Sequence, residues 1–510
     1  MKRKWMERVI VAALIGVMAF SSVMVSAKTT QPSEQTVTTT ASATQKAPKY
    51  VFLFIGDGMS YPQFQAASDY LGAISQRPGS NILTGGDALD FMEFPVAGSA
   101  TTFDSTSFCP DSASTATSIS TGHKTYSSVI NMDETKTIAY EAISEKLKDQ
   151  KDFKIGVITS VNLNHATPAA FYAHQASRNE YYEIGKEMVE SGFDYFAGGA
   201  LLDPEGEEGK DKSVYTLAEE AGYKVVDTQA EAEALTPADG KAIVIGETLA
   251  DSDSLSYEND RAENEWSLAD YVDKGIEMLD NETGFFMMVE GGKIDWACHA
   301  NDAGSTVNDT LALNEAVKEA IEFYNEHPDE TLILVTGDHE TGGLTIGYAG
   351  TDYDTYLQNL QNQKISYAKF DSDYVSKYKA EKTSFEDVMK DVKELFGLML
   401  PTDADATEES KLVLTDYEVE KLKAAYDKTM SGQAVDEANQ EEYVLYGSYE
   451  PLSVTITHIL NNKSGINFSS YAHTGLPVAV FAKGVGAEKF DGFYDNTDIY
   501  NYMAELLQVK

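Results

Sequence analysis

Cysteine is almost absent, with Cys109 and Cys298 the only two in 510 residues. That excludes a disulfide framework, so stability has to come from a buried core and from bound metal. Cations are scarce as well: 39 Lys and Arg stand against 82 Asp and Glu, a formal net charge of -43. Such a surface repels nucleic acid and anionic membranes, which excludes both as partners. An anionic ligand would need local positive charge strong enough to overcome this field. After the N-terminus no apolar run approaches the ~20 residues of a membrane span. No internal repeat is evident, and only eight histidines are present.

The N-terminus reads MKRKWMER, then VIVAALIGVMAF, then Val25-Ser26-Ala27. A basic start, a short apolar run and a small-residue cleavage site make residues 1–27 a secretory signal. The expected location is secreted, periplasmic or cell-surface, with an uncleaved N-terminal anchor as the alternative. Residues 28–47 are rich in Thr, Ser, Gln and Ala and read as a low-complexity linker. Residues 48–510 then form the folded body.

That body has a recurring design. Val51-Phe-Leu-Phe-Ile55 is a strand buried on both faces, released at Gly56-Asp57-Gly58. Phe285-Phe-Met-Met-Val289 ends at Glu290-Gly-Gly, and Thr331-Leu-Ile-Leu-Val335 ends at Gly337-Asp338-His339-Glu340. Lys154–Ile158 and Val478–Phe481 are further strands, and Pro62–Ser75 is a helix opened by proline. The fold class is α/β, a mainly parallel central sheet flanked by helices on both faces. Ligands collect at the carboxyl ends of such strands. Residues 351–470 differ in texture, with amphipathic runs at 384–396 and 415–430, and read as a largely helical insertion above the sheet.

The strand ends carry the chemistry. His299, His339 and His473 sit beside glycine turns or acids, together with Asp57, Asp295 and Asp338. Asp295 and His299 are four apart and share a face if helical. Charged groups gathered at one crevice wall need compensation, which a metal ion supplies better than pairing among like charges. Imidazole with carboxylate suits zinc; an all-oxygen set of Asp, Glu and Thr suits magnesium. Ser112 opens an Ala/Ser/Thr-rich helix, whose N-terminus suits a serine facing phosphate.

These segments resemble the alkaline phosphatase family. The matching pieces are Asp57-Gly-Met, Asp111-Ser-Ala-x-x-Ala-Thr117, His165-Ala-Thr-Pro168, Ser177-Arg178, Val289-Glu-Gly-Gly-Lys-Ile-Asp295, Thr336-Gly-Asp-His-Glu-Thr-Gly-Gly343 and His473-Thr-Gly475, in the family's order. The resemblance implies a zinc on Asp295, His299 and His473, a second on Asp57, Asp338 and His339, and a magnesium on Asp57, Thr167 and Glu290. It further implies Ser112 as nucleophile, passing through a phosphoserine, and Arg178 as a bidentate phosphate clamp. The implied substrates are small phosphomonoesters and the implied assembly a homodimer, with the 351–470 insertion at or over the interface. Two residues beside the ligands depart from the best-known bacterial pattern. His165 stands where an Asp often organises the third metal's waters, which brings in zinc as a candidate for that ion. Trp296 stands where a Lys often reaches phosphate, which predicts weaker product binding. A sulfatase, a phosphodiesterase and a non-catalytic phosphate- or metal-binding relative are the rival readings, although Cys109-Pro110-Asp111-Ser112 lacks the C/S-x-P-x-R context of sulfatases.

Overall fold

A computed structural model describes residues 46–75, 83, 86, 88–407 and 410–510. The signal and nearly all of the linker lie outside the described residues. The strands are β1 Tyr50–Gly56, β2 Val96–Thr101, β3 Lys154–Asn162, β4 Tyr195–Gly199, β5 Lys224–Val226, β6 Ala242–Ile245, β7 Phe285–Gly291, β8 Thr331–Gly337, β9 Glu340–Thr341, β10 Thr345–Ile346, β11 Ile466–Asn467, β12 His473–Thr474, β13 Val478–Gly484 and β14 Phe493–Asp495. Ten of them form one sheet in the order β14-β2-β13-β8-β1-β7-β3-β4-β6-β5. Only β13 runs against the others, pairing antiparallel with β8 and β2.

Strand β1 lies at the centre because its run of large apolar residues can be satisfied only with both faces covered. Its side chains divide by parity. Tyr50, Phe52 and Phe54 enter one buried cluster, and Val51, Leu53 and Ile55 enter the other. The first cluster is closed by the helices Tyr61–Ile74, Leu268–Leu279 and Ala303–Glu326. The second is closed by Ser112–Thr121, Ile143–Lys151 and Thr497–Leu507. Each fully buried Phe or Leu contributes about 1.5–3 kcal/mol by leaving water.

Register sets the site. Gly56 at the end of β1 pairs with Gly291 of β7 and with Gly337 of β8, so three strand ends are level. Asp57 and Asp338 are the next residues along, and Glu290 pairs with Ile55 and with Thr159 of β3. The two-stranded ribbon β9–β12 then brings His473 opposite Thr341.

The insertion is mainly helical as expected, with Phe385–Phe396, Asp416–Ser431 and Pro451–Ser464 as its main helices. Ser384 and Thr415 cap the first two. It is no separate surface layer, however. Val388, Val392, Phe396, Leu422 and Leu452 join the same buried cluster as Phe52 and Phe54.

Candidate metal centre and nucleophile

Asp57, Asp338 and His339 leave β1 and β8 side by side and are buried almost completely. His339 Nε2 lies 3.3 Å from Asp57 Oδ1 and 3.4 Å from Asp338 Oδ2. Gly58 follows with φ +70°, and a side chain there would collide with Thr341 Oγ1 and Asp295 Oδ1, so glycine lets the second group close over the first. Asp295 and His299 lie on the helix Lys293–His299, one turn apart, with His299 Nε2 3.4 Å from Asp295 Oδ2. His473 Nε2 comes within 3.7 Å of Asp295 Oδ1.

The histidine hydrogen bonds decide what these groups can hold. His299 Nδ1 is 2.6 Å from the Tyr471 carbonyl, and His473 Nδ1 is 2.5 Å from the Pro110 carbonyl. A carbonyl only accepts, so both Nδ1 atoms carry the proton and both Nε2 atoms are bare lone pairs. Those two Nε2 atoms face each other at 3.0 Å. The Thr341 hydroxyl donates to Asp295 Oδ1 at 2.6 Å and can then only accept from His339 Nδ1 at 3.2 Å, which leaves His339 Nε2 bare too. Three imidazole lone pairs pointed into one carboxylate-lined crevice repel one another unless a cation lies among them. A carbonyl or hydroxyl behind each ring is the outer support metal-ligating histidines use.

The ligating atoms fall into three sets, each within 4.8 Å of one another: Asp295, His299 and His473; Asp57, Asp338 and His339; and Asp57, His165 and Glu290. The third differs from the expectation, which kept His165 behind the ligands. His165 stands among them, while Thr167 donates to Asp57 Oδ2 at 3.2 Å. Glu290 keeps one oxygen, Oε1, buried without a partner, and its other oxygen takes the Thr159 hydroxyl. Buried polar atoms left open in this way suit an ion.

Charge follows the same plan. Burial, then the carboxylate of Asp338, drives Asp57 well above the ordinary carboxylate range. Burial also pushes Asp338 and Glu290 up to about 7. Burial holds His339 and His473 neutral and, with the Arg178 guanidinium, takes His165 down to about 3. Asp295 goes the other way: burial opposes its charge, but His299 and the neighbouring rings outweigh it.

Ser112 is the first residue of the helix Ser112–Thr121, capped by Asp111, whose side chain accepts from Ser114 N–H at 3.1 Å. Its Oγ is 3.2 Å from His339 Nε2 and 3.5 Å from Asp57 Oδ1. Arg178 donates through Nη1 to Asp111 Oδ2 at 3.0 Å and through Nη2 to His165 Nε2 at 3.2 Å. Asp111 in turn is held below the usual range, against burial, by Arg178 and by the N–H groups of Ser128 and Ser114. Trp296 stands edge-on to His165, ring centroids 5.9 Å apart, with the Lys293 ammonium 4.6 Å from its ring. Lys293 is bound to Asp251 at 2.7 Å and buried, so that cation stays behind Trp296. Neither cysteine is paired.

Some partners carried no sequence signal. Thr115 donates to Asp338 Oδ2 at 3.0 Å, and its position three residues after Ser112 on one helix could have pointed to it. Thr341 lies inside the quoted motif, but its bridging role needed the ribbon β9–β12. The Pro110 and Tyr471 carbonyls have no side-chain signature at all.

The chain matches the family model described as alkaline phosphatase over residues 48–198 and 194–509. It is 28% identical to alkaline phosphatase 4 of Bacillus subtilis over 93% of this chain and 92% of that protein. It is 29% identical to alkaline phosphatase 3 of the same organism over 99% and 98%. Among solved structures, the cold-active alkaline phosphatase of a psychrophilic Shewanella superposes with a TM-score of 0.71 at 25% identity, covering 90% of this chain and 99% of that one. Matched along the whole folded body, and with every motif acid and histidine meeting at one end of its sheet, the chain belongs to the alkaline phosphatase family and is an enzyme of that family.

Proposed function

We propose that this enzyme is an exported phosphomonoesterase that works through a phosphoserine at Ser112 and holds three divalent ions. The observation that carries the reading is the convergence of four buried carboxylates with the imidazoles into three neighbouring sets, one of which lies beside Ser112 Oγ through His339 Nε2 and Asp57 Oδ1. Asp295, His299 and His473 would hold one zinc, and Asp57, Asp338 and His339 a second. Asp57, Glu290 and Thr167, joined by His165, would hold the third. Divalent ions in these sets supply the positive charge that lowers the serine pKa, stabilises the departing oxygen and activates water. Ser112 Oγ forms the bond to phosphorus as the ester oxygen leaves, and water later breaks that bond to release phosphate. Arg178, kept oriented by Asp111, presents its fork to two phosphate oxygens. The Ser112 oxygen also sits at a helix N-terminus, where N–H groups favour the added negative charge.

His165 speaks for zinc as a candidate in the third set, since imidazole favours zinc over magnesium. An alkaline phosphatase from the Antarctic bacterium TAB5, in a variant with a histidine replaced by aspartate, is described with Mg bound in its M3 site. The basic and apolar N-terminus supports export. Among the described residues no helix is long and apolar enough to cross a membrane. The homodimer rests on the family resemblance, and sedimentation would test it.

Acid quenching during turnover of a labelled phosphomonoester should trap the phosphoryl group on Ser112, with no trapping in Ser112→Ala. Label on another residue would overturn the assignment. Trp296→Lys, which returns a cation beside His165, should tighten inhibition by inorganic phosphate several-fold, on the scale of one exposed ion pair. Unchanged inhibition would show that Trp296 does not set product affinity.

A further inference from the structure

Away from the metal centre, the insertion holds a cleft of about 360 Å³ between the helices Asp416–Ser431, Gln440–Tyr446 and Pro451–Ser464. Its lining joins the apolar Leu445, Tyr446 and Phe468 to Lys421 and His458. Lys421 is unusual in so acidic a chain. It forms no ion pair and no hydrogen bond among the described residues, and its ammonium lies only at 5.8 Å from the Tyr417 ring centroid. Glu418, one turn earlier, is taken by Lys463 at 2.9 Å.

His458 offers the opposite polarity. Asn301 donates through Nδ2 to the carbonyls of Cys298 at 2.9 Å and Ser470 at 2.8 Å, which fixes its Oδ1 as an acceptor. His458 Nε2, at 3.1 Å from that oxygen, therefore carries the ring proton, and Nδ1 is a lone pair with no partner among the described residues. Burial, with the nearby Lys421 charge, takes His458 down to about 4 and keeps the ring neutral. The cleft thus presents a free cation, an acceptor for an O–H or N–H group, and an apolar surface fit for a ring.

The floor of the cleft touches the catalytic machinery. Asn301, two residues past His299, stands in the left-handed region at φ +51°. It is gripped there from the helix Pro451–Ser464 by His458 Nε2 and by Asn461 Nδ2, which donates to the Asn301 carbonyl at 2.7 Å. The His458 ring also lies 5.9 Å from Tyr471, whose carbonyl orients His299. Phe468 packs against Gly342 at the end of the ribbon that carries Thr341.

We propose that this cleft is an accessory binding site for a small ring-bearing anion with a hydroxyl or amino donor, and that its occupant bears on His299 through the helix Pro451–Ser464. The anionic group meets Lys421, the donor meets His458 Nδ1, and the ring lies on Leu445, Tyr446 and Phe468. The test is a calorimetric titration of 4-hydroxybenzenesulfonate into the metal-loaded full chain with inorganic phosphate saturating the catalytic site. One site per chain should persist under phosphate and weaken about tenfold or more in Lys421→Glu, as loss of a charge-assisted contact requires. That variant should keep its kcat and KM when no probe is present. In the unsubstituted enzyme the bound probe should change kcat for a small phosphomonoester at saturating substrate. No binding, binding displaced by phosphate, binding indifferent to Lys421→Glu, or occupancy that leaves kcat unmoved each overturns the proposal. The heat of binding is read whether or not substrate turns over, so failure here is distinct from failure of the phosphoserine reading.

Discussion

The two halves of the metal centre differ in their access to water. Asp57, Asp338 and His339 have side chains 0–1% exposed, while His299 keeps 27%, His473 13% and Asp295 5%. The inner group comes from strand ends fixed by sheet register. The outer group comes from a short helix and a two-residue ribbon, held by carbonyls of loops. The inner carboxylates rise in pKa because burial and the neighbouring carboxylates outweigh the hydrogen bonds they accept. The outer Asp295 is lowered by the three imidazole rings around it and by the Thr341 hydroxyl. Depth and partner, rather than ligand chemistry, separate two sets that look alike on paper.

Substituting one ligand on each side is the most direct way to break this contrast. Asp57→Asn removes a carboxylate shared by two sets, and activity should fall on the order of 10⁴-fold with no recovery in added zinc. His473→Gln should lose on the order of 10²-fold and recover part of that in excess zinc, because the opening lets an ion exchange. Stability should move the other way: Asp57→Asn ought to raise the Tm of chelator-treated protein by relieving repulsion among buried carboxylates. Equal losses with equal zinc rescue would mean that depth does not distinguish the two sets.

Acid titration of the stripped protein is the next probe. Asp338 is pushed from an ordinary value of 3.8 up to about 7, and Glu290 from 4.5 up to about 7. Between those limits the folded chain holds protons that the unfolded chain has released, so the unfolded state binds fewer and stability falls as pH rises. The contribution is complete below the unfolded values and gone above about pH 7. Bound ions keep the same groups ionised and remove the trend. The gap in Tm between metal-loaded and stripped protein should therefore widen from pH 4.5 to pH 7, and a constant gap by calorimetry would contradict the burial assigned to the inner set.

Legibility in the sequence follows the same division. Asp57, Glu290 and Asp338 stood out because apolar runs of five residues leave little doubt about a buried strand, and an acid after such a run has few structural uses. The i, i+4 spacing of Asp295 and His299 was readable for the same reason. The mainly parallel sheet and the helical insertion were also legible from periodicity. What the sequence withheld depends on contacts between distant loops. The Pro110 and Tyr471 carbonyls that set two tautomers are backbone atoms, present at every residue. The place of His165 in a candidate ligand set, and the core shared by the insertion, arise only once β3 and the helices have packed.

Thr341 bridges the two halves by hydrogen bonds, and its removal is the finest adjustment of the comparison. Its hydroxyl gives its proton to Asp295 Oδ1 and receives the one on His339 Nδ1, so a single oxygen orients an outer carboxylate and an inner imidazole. Thr341→Val keeps the shape and deletes both bonds. His339 then buries an N–H without a partner, a cost of about 1–3 kcal/mol. Asp295 loses its fixed rotation, and metal affinity should drop roughly 10–100-fold, as for other supporting groups behind ligands. Because the outer set is open to solvent, its ion should leave first: metal analysis after mild dialysis should show about one equivalent lost, with added zinc restoring activity. Loss of two equivalents together would show that Thr341 couples the halves so tightly that they bind and release their ions as one unit.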